Sequence, residues 1–99
     1  MFYPLRYKDI VIAEGVPEKK YMVLGEVDCT LGGFYSQMKS LNDVKETLYQ
    51  QAKLLNANAI INFTYGQKKK FFSLEGVVFY GRGIAVRFTD IESILNLCK

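Results

Sequence analysis

The sequence predicts an α+β domain: a two-layer ββαββ sandwich whose mainly antiparallel sheet has one long helix on one face, followed by a short C-terminal helix. Three observations predict this class. Four segments are rich in β-branched and aromatic residues, and one central segment repeats its apolar residues at helical spacing. The length of 99 residues is that of one domain. We therefore treat residues 1–99 as a single domain.

Two strands are predicted in the N-terminal third. The run Ile10–Ala13 is β-rich and is followed by turn-forming residues 14–18. The second strand covers Tyr21–Thr30. Alternation places its odd-numbered residues on one face: Tyr21, Val23, Gly25, Val27 and Cys29. The opposite face is expected to run from covered to solvated, through Met22, Leu24, Glu26 and Asp28.

The clearest element is a helix predicted from Leu41 to Asn56. Its apolar residues recur three or four positions apart and form one stripe: Leu41, Val44, Leu48, Ala52, Leu55 and Ala59. Either Ser40 with Asp43, or Asp43 with Glu46, provides a capping pair at its start. After Gly, Asn best tolerates the left-handed conformation that ends helices, so Asn56 predicts the helix stop.

Two further strands are predicted in the C-terminal half, at Ala59–Tyr65 and Val77–Phe88. A basic loop over Gly66–Gly76 would join them. One face of the last strand is nearly bare, because it consists of Gly81, Gly83 and Ala85. A bare face lets a helix or another backbone approach closely, either within the subunit or from a neighbouring one.

A short amphipathic helix is predicted within residues 89–98. Thr89 and Glu92 have the spacing of a capping box at its start. The apolar residues after them share one helical stripe: Ile91, Ile94, Leu95 and Cys98. We expect this helix to dock on its own subunit or on a neighbour.

Composition narrows the classes of function. Thirteen basic and ten acidic residues give a net charge of +3, a weaker field than a dedicated nucleic-acid binder has. Two cysteines do not make a disulfide framework, and we find neither a signal peptide nor an apolar run of membrane-spanning length. We therefore expect a cytoplasmic protein. Seven Phe and seven Tyr exceed what one small core hides, which predicts self-association.

Three stretches together resemble a known family: Val-Leu-Gly-Glu-Val at 23–27, Ala-Lys-Leu-Leu-Asn-Ala-Asn-Ala-Ile-Ile at 52–61, and Gly-Ile-Ala-Val-Arg-Phe at 83–88. They are similar to the YbjQ-like family of small bacterial and archaeal proteins, often labelled heavy-metal-binding domains, over most of residues 10–88. The resemblance implies a dodecin-like two-layer subunit that assembles into a ring, commonly a pentamer. Asn56 stands where the family usually has Gly, and Asn suits the same left-handed cap.

The residue types argue against a catalytic site or a metal centre. The chain has no His, so it has no Ser–His or Cys–His pair, and Glu26 and Asp28 are interpreted as solvated strand residues. Soft-metal sites gather several thiolates or imidazoles, whereas Cys29 and Cys98 lie far apart in sequence. We expect no enzyme, no catalytic residue and no cofactor. Cys29, together with its symmetry mates in a ring, is retained as a candidate for soft metals or metalloids.

Two further hypotheses remain open for function. The first is a non-enzymatic, homo-oligomeric, ring-like protein that binds a small ligand between subunits or acts as a scaffold. Its candidate interface residues are Phe63, Tyr65, Phe79, Tyr80, Gly81 and Gly83. The alternative is binding of nucleic acid or another polyanion through the segment Lys68–Phe72. The candidates for that role are Lys68, Lys69, Lys70, Phe71, Arg82 and Arg87.

Overall fold

The computed structural model describes residues 3–18, 20–32, 41–69 and 77–98. Its elements are β1 (Tyr3–Tyr7), β2 (Ile10–Glu14), β3 (Tyr21–Gly32), α1 (Leu41–Leu54), β4 (Ala59–Lys69), β5 (Val77–Phe88) and α2 (Ile91–Leu95). The strands form one sheet in the order β1-β2-β4-β5-β3. Within the described residues β2 and β4 pair in parallel and the other pairs are antiparallel. The predicted α+β class is confirmed, and neither described helix is long and apolar enough to cross a membrane.

The N-terminal strand β1 is absent from the sequence-based prediction. It pairs with β2 across the two-residue turn Lys8–Asp9, in a register that sets Tyr7 opposite Ile10. Lys8 has a φ of 52°, as two-residue hairpin turns require. Such turns usually have the sequence Asn-Gly or Asp-Gly, so Lys-Asp did not indicate a hairpin. Pro4 is a residue that sheets usually exclude. It is tolerated because β1 lies at the edge of the sheet, where a missing N–H costs little.

Helix α1 packs part of its predicted stripe against one face of the sheet, which we call the helix face. Ala59, the last residue of that stripe, begins β4 instead and packs on the opposite face. Val44, Leu48 and Ala52 are fully buried there, against apolar residues of β2, β4 and β5. Asn56 has a φ of 62°, which confirms the left-handed stop after the helix. Of the two predicted capping pairs, Ser40 lies outside the described residues. The other pair is wrong: Glu46 lies inside α1, and its carboxylate accepts bonds from Tyr7 and Gln50.

Asn58 joins the end of α1 to the sheet. Its side-chain amide bonds both backbone groups of Phe88, donating to the carbonyl at 3.2 Å and accepting from the N–H at 2.8 Å. Its own backbone N–H donates to Val86 O, and its carbonyl accepts from Val11 N–H. Because Asn58 thereby bridges β2 and β5, it sets the position at which β4 begins between them.

A β-bulge in β3 overturns the predicted assignment of its faces. The register with β5 shifts between Val23 and Gly25, so one residue of β3 has no partner and the alternation of side chains is broken. Tyr21 consequently packs against Phe88 at a ring-centroid distance of 5.7 Å, on the face opposite α1. Val27 lies on the helix face. The prediction that Tyr21 and Val27 share a face is therefore wrong.

Helix α2 covers one end of the other face, which we call the open face. Ile94 is fully buried there beside Val86 and Phe88 of β5. The cap differs from the predicted one, because the Asp90 side chain, not Thr89, accepts the bond from Ser93 N–H at 3.3 Å. The helix ends at Leu95, before the last residue of the predicted stripe.

The sheet is longer than the helix that covers it. The 12 residues of β3 and of β5 extend over about 40 Å, whereas the 14 residues of α1 extend over about 21 Å. The segment 66–69 continues β4, so the prediction of a loop from Gly66 is wrong there, and residues 70–76 lie outside the described residues. We call the part of the sheet beyond α1 the arm; it comprises residues 30–32, 66–69 and 77–80.

A polar network fastens the β1–β2 turn to α1. Glu46 pairs with Lys8 and accepts hydrogen bonds from Tyr7 Oη at 2.8 Å and Gln50 Nε2 at 2.7 Å. Asp9 accepts bonds from Tyr49 Oη at 2.7 Å and from Lys53 Nζ at 2.8 Å. The bonds from Lys8, then Gln50 and Tyr7, lower the pKa of Glu46 from 4.5 to about 2. Lys53 and Tyr49 likewise lower the pKa of Asp9.

This network predicts loss of stability in acid. A carboxyl group whose pKa is lower in the folded chain stabilises the fold above its unfolded pKa and loses that contribution as the pH falls toward its folded pKa. We therefore expect the free energy of unfolding to fall between about pH 5 and pH 2. Glu46→Gln should make that fall shallower, which urea unfolding at a series of pH values measures. A variant whose stability falls as steeply as that of the wild type would contradict this role of Glu46.

Candidate functional site

A polar pocket of about 260 Å³ lies on the open face, beyond the end covered by α2. Strand β5 runs through its centre. Arg82 of β5 stands directly opposite Asp28 of β3 and Thr64 of β4, and Ile84 stands opposite Glu26. The full lining consists of Glu26, Val27, Asp28, Asn62, Thr64, Arg82, Gly83 and Ile84.

A second bulge shapes this pocket. The register between β4 and β5 shifts between Ile61 and Thr64, and Asn62 adopts a φ of 53° there. The Asn62 N–H donates to Gly15 O at 2.8 Å, which holds the bulge against the end of β2. Gly83 lies beside it, where a Cβ would come within 2.5 Å of Ile60 Cγ2. The bulge therefore places Thr64 next to Arg82 on the open face.

The charged side chains of the pocket are exposed and make no ion pair with one another. Among the described residues the ion pairs are Lys8–Glu46 and Lys53–Asp9. Gln51 of α1 binds the backbone of Asp28. The side-chain amide of Gln51 accepts a hydrogen bond from the Asp28 N–H at 3.0 Å and donates one to the Asp28 carbonyl at 2.7 Å. The pocket thus presents two carboxylates and one guanidinium that form no ion pair with one another, on the neighbouring strands β3 and β5.

A second candidate surface lies on the helix face near the arm. We call it the Tyr65 patch; it consists of Tyr3, Leu5 and Tyr65, whose exposed fractions are 54%, 46% and 48%. The three side chains line one groove, which Glu14 and Lys45 flank with opposite charges. Sequence reasoning missed Tyr3 and Leu5 because it missed β1. The alternation of Tyr3, Leu5 and Tyr7 was the available signal.

The structure separates the predicted interface residues into buried and accessible ones. Phe63 is 4% exposed and stacks beneath Tyr65, with ring centroids 5.3 Å apart. Gly81 and Gly83 are buried inside the chain, where a Cβ on Gly81 would collide with Val44 of α1. Close packing within one subunit therefore explains why this face of β5 has glycine at both positions. Phe79 and Tyr80 are half-buried on the arm, and Tyr65 is exposed.

The predicted polyanion-binding residues do not form one surface in the part of the chain that the structure describes. Arg82 and Arg87 lie on opposite faces of β5, because an odd number of positions separates them in a regular strand. Arg87 donates to Asn56 O at 2.9 Å, beside the end of α1. Lys68 and Lys69 belong to β4, and Lys70 and Phe71 lie outside the described residues.

The two cysteines lie on opposite faces of the sheet. Cys29 packs against the core of the helix face, with Sγ 3.8 Å from Val44 O, and Cys98 packs beside α2 on the open face. Burial raises the pKa of both thiols, which disfavours the thiolate that binds soft metals. Within the described ranges no three His, Cys, Asp or Glu side chains are grouped as metal ligands would be.

Comparison with known proteins shows the fold. No protein-family model matches the sequence, and no curated protein is significantly similar to it. The chain is similar to the crystal structure of a protein of unknown function from Pediococcus pentosaceus, which belongs to the DUF74 family. The TM-score is 0.63 at 18% identity, over 78% of this chain and 94% of the other. The two proteins therefore share an α+β fold.

Proposed function

We propose that this protein is a non-enzymatic homo-oligomer that serves as a small-ligand-binding or scaffold protein and assembles as a ring. The observation that carries the proposal is the exposed Tyr65 patch, together with the arm beside it, which extends beyond α1 in the described part of the chain. A sheet normally buries its apolar face against a second layer. Here α1 covers about half of the sheet's length and the rings of the patch remain in water.

A second copy of this chain is the proposed partner. The Tyr65 patch is an exposed apolar groove whose lining includes one acidic and one basic residue, Glu14 and Lys45. If the patch of one copy meets the arm of the next, the contact is between different surfaces. Repetition of such a head-to-tail contact closes a ring when the rotation permits.

The two edges of the sheet favour an interface formed by side chains over one in which a strand of a second copy pairs with the sheet. Edge strand β1 has 5 residues and includes Pro4, which lacks a donor. At the other edge, the amide of Gln51 occupies both backbone groups of Asp28. Both features hinder pairing with a further strand. The proposed interface therefore depends on the rings of the patch and arm.

A resemblance in sequence supports the ring. The chain is similar to the YbjQ-like family at residues 23–27, 52–61 and 83–88. Membership of a YbjQ-like family would imply a pentamer of dodecin-like subunits. The absence of His from the sequence supports a role without catalysis.

Tyr65→Glu should dissociate the oligomer. A carboxylate in the centre of an apolar interface loses its water without gaining a partner, which weakens association. Light scattering coupled to gel filtration should give the mass of the monomer for this variant at a concentration where the wild type is assembled. Leu54→Glu is the matched control, because Leu54 is exposed but lies outside the patch and arm. Assembly that survives in Tyr65→Glu, or fails equally in Leu54→Glu, would rule out this interface.

A further inference from the structure

We propose that the polar pocket on the open face binds a small zwitterion, a molecule with one ammonium and one carboxylate group, as free amino acids have. The pocket lies within one chain, so this inference does not depend on the proposed assembly. It differs from the sequence-based expectation of a ligand between subunits.

Arg82 is the group that would bind the carboxylate. Its guanidinium is exposed in the pocket and forms no ion pair within the described chain, although Asp28 stands opposite it in the register. A planar guanidinium can donate two parallel hydrogen bonds to a carboxylate. The Thr64 hydroxyl, opposite Arg82 on β4, can add another donor on the same side.

Glu26 and Asp28 would bind the ammonium. They lie two positions apart on β3, both exposed and both among the lining residues. Ionised carboxylates only accept hydrogen bonds, whereas an ammonium only donates them. Adjacent strands lie about 4.8 Å apart. The carboxylates of β3 and the guanidinium of β5 can therefore hold the two ends of one small molecule.

The size and charge of the pocket favour a small zwitterion over other ligand classes. Its volume of about 260 Å³ is below the range of drug-sized pockets, which begins at about 300 Å³. A dicarboxylate or a phosphate chain would be repelled by Glu26 and Asp28. A diamine would leave Arg82 without an anionic partner. Ile84 provides an apolar wall for an aliphatic side chain. An aliphatic amino acid satisfies all of these conditions.

Three matched probes test the proposal on the full chain: L-norvaline, pentanoate, which lacks its ammonium, and 1-aminobutane, which lacks its carboxylate. We expect L-norvaline to shift the backbone amide resonances of Val27 and Gly83 in NMR spectra. Pentanoate and 1-aminobutane should bind about tenfold more weakly or worse, since each loses a charge-assisted contact. Equal binding of either half-molecule, or no shift with L-norvaline, would overturn the assignment.

Substitutions then test the roles of Arg82 and Glu26 in binding. Arg82→Gln should weaken L-norvaline binding about tenfold or more, and Glu26→Gln should also weaken it. Arg6→Gln is the control, because it removes the same charge from an exposed position on β1, away from the pocket. Unchanged binding in Arg82→Gln would overturn the proposal, and preserved spectral dispersion shows that each variant folds. The subunit number, measured on the same samples, distinguishes failure of this proposal from failure of the proposed assembly.

Discussion

Replacing Leu48 with Ala is expected to lower the free energy of unfolding by about 3–5 kcal/mol. Leu48 is fully buried at the centre of α1 and belongs to the core between the helix and the sheet. Truncation removes its apolar contacts and leaves a cavity that the surrounding strands cannot fill by collapse. Urea unfolding followed by circular dichroism measures the change.

Leu54→Ala provides the matched control on the same helix. The Leu54 side chain is 87% exposed, so its truncation should change the free energy of unfolding by no more than about 0.5 kcal/mol. Comparable losses in both variants would mean that α1 does not pack on the sheet with this face.

Gly81→Ala is expected to destabilise the fold by about 1–3 kcal/mol. Gly81 lies on β5 beneath α1, and the added Cβ would collide with Val44 Cγ1 and come within 3.5 Å of Leu48 Cδ1. Because the colliding atom belongs to a buried and closely packed side chain, the helix must shift to relieve the contact. The thermal unfolding midpoint should therefore fall.

Val44→Ala should rescue part of that loss. It removes the atom that the new Cβ meets, so the double variant should be more stable than the sum of the single changes predicts, by about 0.5–3 kcal/mol. A double-mutant cycle measures this coupling. Additive effects would show that Gly81 is required for some reason other than its contact with Val44.

Local sequence signals predicted those parts of the fold in which one segment determines its own structure. The stripe of α1 and the left-handed Asn56 follow from residue spacing and backbone preference. Strand β1 was not predicted, because local rules disfavour Pro4 in a strand and Lys8–Asp9 as a hairpin turn. Pairing with β2 and the bond from Tyr7 to Glu46 of α1 stabilise it. The bulge at the start of β3 depends on β5, which is distant in sequence. No local pattern reveals it.

The sequence predicted individual residues of the candidate pocket but not their grouping. Glu26 and Asp28 were recognisable as two carboxylates on one strand face, and Arg82 as an exposed cation. Their association with Thr64 requires that β5 lie between β3 and β4, and that β4 bulge at Asn62. These are tertiary properties. The Tyr65 patch likewise required β1 to bring Tyr3 and Leu5 beside Tyr65.

The mass of the untagged protein in native mass spectrometry tests the proposed assembly most directly. The proposed assembly predicts one species at a multiple of the chain mass of 11.3 kDa, five-fold for the pentamer that the resemblance to the YbjQ-like family implies. It should persist at micromolar concentration and dissociate in Tyr65→Glu. A protein that remains a monomer of 11.3 kDa under these conditions would contradict the proposed assembly.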